Sequence, residues 1–282
     1  MPGYFEGWYL KQQAEKGTVA LIPAIHRQAG GHTTASLQVI TEAGSWNLPV
    51  SHFNYDRPGK RFQLEDSVVT PRGCRLNLAG KDVSVEGQLW FSGVTPPRYD
   101  IMGPFSLVPF MQCRHSVFSM AHRVNGRLRV NGQIYRFRQS PGYMEGDRGI
   151  SFPSRYLWTQ CSWKNGCIML SVADIPFMGG HFTGCIGLIY GNGVERRFAT
   201  YLGAKVETAD NVSIRVRQGD MRLSVRLLED RAHPLLAPVE GGMGRTIHES
   251  IACRVLYDLQ IGGRERLHFT ADRASFESDW QT

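Results

Sequence analysis

Twenty residues near the middle of the chain, Gly142 to Cys161 (GYMEGDRGISFPSRYLWTQC), hold the residue types that move protons. Glu145 and Asp147 lie there among Tyr143, Phe152, Tyr156 and Trp158, with Arg148 and Arg155 close by. A similar group opens the chain: in YFEGWYLK, Glu6 stands among Tyr4, Phe5, Trp8 and Tyr9. A carboxyl among aromatic rings serves as a general acid where burial keeps it protonated. Where an arginine such as Arg148 or Arg155 reaches it, the carboxyl is ion-paired and has no proton to give. Both uses remain open for Glu6 and Glu145. His115 is a further proton carrier, or else a packed histidine with one nitrogen satisfied.

The elements that position these groups read as strands. Glycines and Pro153 interrupt the central stretch, which predicts that Glu145 and Asp147 lie on a turn and that Asp147 forms it. From Arg155 the pattern alternates, with Tyr156, Trp158 and Gln160 on one face of a strand and Leu157, Thr159 and Cys161 on the other. Elsewhere Gly17, Gly80–Asp82, Asn131–Gly132, Asn192–Gly193 and Gln218–Asp220 punctuate alternating runs as hairpin turns. No window of a dozen residues carries helical apolar spacing with capping signals at both ends. Many short strands with regular turns predict an all-β sandwich or barrel.

The chain also repeats. Arg75–Trp90 aligns without gaps on Ser213–Leu228 at an offset of 138, matching Leu76 with Ile214, Leu78 with Val216 and Val85 with Leu223. Tyr9–Leu10 aligns on Tyr156–Leu157, and Asn131–Asp147 resembles Gly262–Asp279. Three matches in one order predict two tandem β units, 1–145 and 146–282. Each has the size of one antiparallel barrel of about eight strands, with room for one small ligand.

The 282 residues are 42% hydrophobic and 11% aromatic, a core-forming composition. No apolar run approaches the roughly 20 residues that span a bilayer. The N-terminus carries no basic segment leading an apolar one, so a cytoplasmic location is expected. The net charge is +7, with arginines spread singly along strands. That pattern argues against a nucleic-acid footprint and leaves peripheral contact with anionic lipid headgroups open. The six cysteines make no C-x-x-C pair and read as small buried hydrophobes. The nine histidines show no metal-ligand spacing, and there is no P-loop, dinucleotide fingerprint or G-x-S-x-G elbow. No metal and no cofactor are expected. Gly241 to Gly244 reads as a loop.

The N-terminal FEGWY and the central GYMEGDRG-x-x-FPSRYLWTQC resemble the paired signatures of the tocopherol cyclase-like family. MGPFSLVPFMQCRH (Met102 to His115) and TIHES (Thr246 to Ser250) resemble further segments of it. Gly146 and Arg148 stand where the family pattern has Lys and Trp, and Gln112 stands where it has an acid. The resemblance implies two tandem lipocalin-like (calycin-like) barrels, related in fold to carotenoid hydratase and AttH-like proteins, with the central motif at their junction. It implies cofactor-independent chemistry in which a proton is added to a prenyl double bond and a phenol oxygen, or water, captures the cation. Such chemistry needs a protonated acid, aromatic faces beside the cation and exclusion of bulk water. The residues implied are Glu145, Asp147, Glu6 and His115 as proton-handling groups. Trp8, Tyr143, Tyr156, Trp158 and Gln160 would line the substrate, a prenylated quinol or other isoprenoid-like small molecule. His248 and Glu249 are expected to seal the second barrel. A non-catalytic lipocalin-like carrier, or an interaction module with filled barrels, are the other readings of the same fold.

Overall fold

The computed structural model describes residues 2–108, 111–164, 166–177 and 179–280. They form two antiparallel sheets and no α-helix. In the first, β1 (Tyr4–Gln13), β2 (Thr18–Arg27), β3 (Thr34–Thr41) and β4 (Gly44–Val50) meander outward from the centre. On the other side come β11 (Gln133–Gly149), β10 (Cys113–Val130), β9 (Ser84–Ser92), β8 (Gly73–Ala79), β7 (Ser67–Thr70), β6 (Arg61–Leu64) and β5 (Phe53–Asp56). The second sheet repeats the plan. It runs β15 (Val194–Ala199), β14 (Gly180–Gly191), β13 (Gly166–Phe177), β12 (Tyr156–Trp163), β21 (Arg264–Asp279), β20 (Gly242–Ile261), β18 (Met221–Glu229), β17 (Ser213–Gln218), β16 (Lys205–Asp210). The remaining strand, β19 (His233–Val239), pairs with β20. Each sheet curls into a lipocalin-like barrel; in the first, β3 meets β6 across the opening. The repeat read from sequence falls on equivalent places, because β8–β9 and β17–β18 occupy the same positions in their sheets, as do β1 and β12, and β11 and β21.

The hairpin turns form where expected. Asn131 (φ 47°) with Gly132 (φ 81°), and Asn192 (φ 51°) with Gly193 (φ 78°), take the left-handed conformations that a two-residue hairpin of the right twist requires. Alternation then directs one side-chain set inward. Trp8, Leu10, Leu21, Leu37, Phe62, Leu128 and Met144 fill the first barrel, and Leu157, Leu170, Phe198, Val216, Tyr257 and Phe276 fill the second. Each such side chain contributes on the order of 1.5–3 kcal/mol by leaving water.

The chain divides into two compact units. One comprises Met1–Pro97, Met111–Phe152 and Leu235–Thr246; the other comprises Arg98–Phe110, Pro153–Pro234 and Ile247–Thr282. The 145/146 division read from sequence falls inside β11. In the first unit, Leu235–Thr246 is fastened by Gln38, whose amide donates to Leu236 O and accepts from Leu236 N, both at 3.0 Å. In the second, Arg197 fastens the segment from Arg98. Its guanidinium donates to Tyr99 O (2.6 Å) and Asp100 O (3.2 Å), covers the Tyr99 ring and pairs with Glu195 at 2.7 Å. Pro109 and Phe110, in the family-like segment from Met102 to His115, lie outside the described residues.

Two local expectations are corrected. Glu145 and Asp147 lie on no turn: they sit within β11, paired on both sides. The flanking glycines serve close approach instead. A Cβ at Gly146 would come 2.8 Å from the Phe118 ring and 2.9 Å from Gly7 O. Likewise, Gly241–Gly244 is no loop; Glu240 (φ 49°) and Gly241 (φ 81°) make a hairpin turn, and β20 starts at Gly242.

Candidate active site

β11 lies in the interior of the first sheet, between β1 and β10, and its register decides which groups meet. Tyr9 stands opposite Glu145 and Gly7 opposite Asp147 on β1; His115 stands opposite Asp147 and Val117 opposite Glu145 on β10. Because side chains alternate, Tyr143, Glu145 and Asp147 share a face with Tyr9, Lys11, Cys113 and His115. The face opposite carries Trp8, Leu10 and Met144 into the core. A bulge in β10 just past Val117 bends the strand beside the cluster.

His115 is the hub. Its Nδ1 lies 2.9 Å from Asp147 Oδ1 and its Nε2 3.1 Å from Glu145 Oε2. Tyr143 O–H donates to Glu145, and the Cys113 thiol lies 3.5 Å from Asp147 Oδ1. Glu145 is 4% exposed and Tyr143 fully buried. Burial of the imidazole opposes its protonation, but the Asp147 and Glu145 carboxylates outweigh it and hold His115 well above its ordinary value. Burial, reinforced by Asp147, pushes the Cys113 thiol well up. The arrangement keeps a proton in a buried site, carried by an imidazolium between two carboxyl groups. The His115, Glu145 and Asp147 ligand atoms lie within 4.8 Å of one another, a set that a divalent metal could also use. Here each imidazole nitrogen already faces a carboxylate oxygen.

Glu6 is elsewhere. It lies on the Trp8 face, where it accepts from Tyr4 and Tyr55 hydroxyls and pairs with Arg57, whose Nε is 2.8 Å from Oε2. Burial first, and then the Glu6 carboxylate, push both phenols far above their ordinary values. The arginine at Glu6 is thus Arg57, not Arg148 or Arg155; Arg155 instead faces Asp174 at 3.7 Å and the Trp280 ring. Trp8 is a core plug, edge-on to Phe62, Tyr55 and Phe118.

Tyr156, Trp158 and Gln160 belong to the second unit, on the outward face of β12, and all three are buried. Sequence reasoning missed their neighbour Glu277, which stands opposite Trp158 and accepts a bond from the Tyr156 hydroxyl. Glu249, opposite Glu277 on β20, is 1% exposed, whereas His248 beside it is exposed. A Tyr–Glu pair therefore occurs in each unit. Lys11, 1% exposed, and Cys113 were missed as well. The two-residue steps Tyr9–Lys11 and Cys113–His115 were the available signal, legible once the face of each strand is known.

Residues 90–178 match the family model described as tocopherol cyclase-like. That stretch holds Cys113, His115, Tyr143, Glu145, Asp147, Tyr156, Trp158 and Gln160, but neither Glu6 nor Trp8. Among solved structures, the chain is similar to kievitone hydratase from Nectria haematococca, at 8% identity and a TM-score of 0.59, over 99% of this chain and 90% of that one. It is also similar to a putative AttH from Nitrosomonas europaea, at 10% identity and a TM-score of 0.54, over 97% and 92% of the two chains. No curated protein matches the chain by sequence. Residues 90–178 are thus similar to the tocopherol cyclase-like family, and over nearly its whole length the chain has the lipocalin-type fold of these two structures.

Proposed function

We propose that the protein is a cofactor-independent enzyme that protonates a carbon–carbon double bond of a prenylated hydrophobic substrate, and so drives its cyclisation or hydration. One observation carries this reading: His115 is clamped between Glu145 and Asp147, and Tyr143 donates to Glu145, on one face of paired strands where Glu145 and Tyr143 are buried and His115 and Asp147 partly so. Glu145 is the group that meets both the imidazole and the phenol, and so is the carboxyl that gives the proton to the alkene. That proton starts on the His115 imidazolium, whose Nε2 lies 3.1 Å away, and passes through Glu145 as the alkene takes it. Asp147 holds the imidazole through Nδ1 and stabilises its charged form. The alkene π pair forms the new C–H bond and leaves a tertiary cation. A substrate phenol oxygen closes the ring and releases its proton, or water adds and does the same, so the cluster ends with its proton count unchanged. Burial limits stray water at the cation.

The test is turnover of a prenylated quinol in D2O, read by mass spectrometry. One deuterium bound to carbon per product is expected. Glu145→Gln is expected to lower kcat by a factor on the order of 10² to 10⁴, the range of general acid catalysis, with the circular dichroism spectrum unchanged. A fully active Glu145→Gln enzyme, or product without deuterium, overturns the reading.

A further inference from the structure

Arginines that are isolated in the sequence come together on the outer face of β8–β11. Register places Arg75, Gln88, Arg127 and Arg136 in one row across the four strands. Arg129 and Arg138 flank that row, and Trp90, 54% exposed, stands beside it. These residues line a groove of about 830 Å³. Two strand glycines, Gly87 (φ 132°) and Gly126 (φ 126°), are part of its lining. A Cβ at Gly87 would fall 2.3 Å from Arg127 O, and one at Gly126 would fall 2.1 Å from Gln88 O. Glycine in a strand interior marks such a bend or close approach.

The charge in the groove is not balanced. Arg129 pairs with Glu86 at 2.9 Å, and Arg138 with Glu15 at 3.3 Å. Among the described residues, Arg75, Arg127 and Arg136 make no ion pair. Arg127 and Arg136 also stand directly opposite each other, an arrangement of like charges that destabilises a sheet. An anion seated between them removes that repulsion, and a phosphate accepts two parallel bonds from each guanidinium.

We infer that this groove docks the protein on an anionic membrane surface by seating lipid headgroup phosphates among Arg75, Arg127 and Arg136. The row spans roughly 15 Å at ~4.8 Å per strand, enough for a headgroup or two. A single exposed aromatic in the groove, Trp90, is no platform for successive stacked bases, which single-stranded nucleic acid requires. Trp90 at the margin has the amphipathic ring that settles at headgroup depth. The groove shares no residue with the His115 cluster, and its binding is measured without substrate, so it stands or falls apart from the proposed catalysis.

The full chain should co-sediment with phosphatidylcholine–phosphatidylglycerol vesicles but not with phosphatidylcholine vesicles, and raised salt should release it. Trp fluorescence should shift to the blue on binding, and Trp90→Phe should lose that shift. Removing two charges in Arg127→Gln/Arg136→Gln should weaken binding roughly 30-fold, about fivefold for each cation near an anionic surface. Both side chains are exposed, so an unchanged circular dichroism spectrum and melting temperature should accompany the loss. Equal binding to phosphatidylcholine alone, undiminished binding by the double variant, or release of vesicles by millimolar inorganic phosphate would each overturn the inference. Retention of an oligonucleotide by the same arginines in preference to vesicles would do so too.

Discussion

At the scale of residues, the His115 cluster sets a pH dependence whose sign follows from its geometry. Asp147 and Glu145 raise the imidazole above its unfolded value. The stabilisation is therefore fully present below about pH 6.5, the ordinary histidine value, and is lost as pH rises through the elevated folded value. Thermal melts of the native protein and of His115→Gln across this range check it. The native advantage should be largest at the acidic end and should shrink in alkali; an advantage that grows with pH would contradict the assignment. At the acidic end the variant should be destabilised by about 3–5 kcal/mol, the cost of leaving buried charge without its partner. Glu6 makes the contrast. It is as buried as Glu145 but accepts from Arg57 and two tyrosines, so Glu6→Gln should cost stability and leave turnover largely in place.

At the scale of elements, β11 does two jobs through alternate residues: Met144 completes the core, while Tyr143, Glu145 and Asp147 build the cluster. Gly146 belongs to the core side, and the Phe118 ring of β10 fills the space that its side chain would take. The departure from the family pattern at Gly146 thus has a steric partner. Gly146→Ala should destabilise the protein by about 1–3 kcal/mol, the usual penalty for an overpacked core. Phe118→Leu in the same chain should recover part of that loss, although Gly7 O still crowds the methyl. A double-mutant cycle from denaturant melts measures the coupling, and strict additivity would mean that Phe118 is not the obstacle.

At the scale of the whole molecule, neither compact unit is one continuous segment. The first takes Leu235–Thr246 from the later half of the chain, and the second takes Arg98–Phe110 from the earlier half. A fragment of residues 1–152 therefore keeps Gln38 but loses the Leu236 backbone that satisfies its buried amide. It should melt at a lower temperature and less cooperatively than the intact chain, and Gln38→Leu in the intact chain should reproduce about 1–3 kcal/mol of the loss. A fragment that melts like the full protein would show that Leu235–Thr246 is dispensable to the first unit. Scanning calorimetry with circular dichroism decides between these outcomes.

Strand alternation, turn glycines and the internal repeat determined the all-β class, the duplicated plan and most hairpins, because these depend on local backbone preference and on a period of two. The residues around Glu145 and the resemblance they carry were legible for the same reason: they lie close together in one segment. Three matters were decided only by tertiary structure. Gly146 looked like a turn former, since a sequence does not show that Phe118 and Gly7 crowd it. Glu6 and Glu145 looked alike, since their different faces and the approach of Arg57 or His115 follow from long-range register. The arginines looked dispersed, since only the pairing of β8, β9, β10 and β11 brings Arg75, Arg127 and Arg136 into one row. Register between strands distant in the chain is set by how whole faces bury together, and no single segment encodes it.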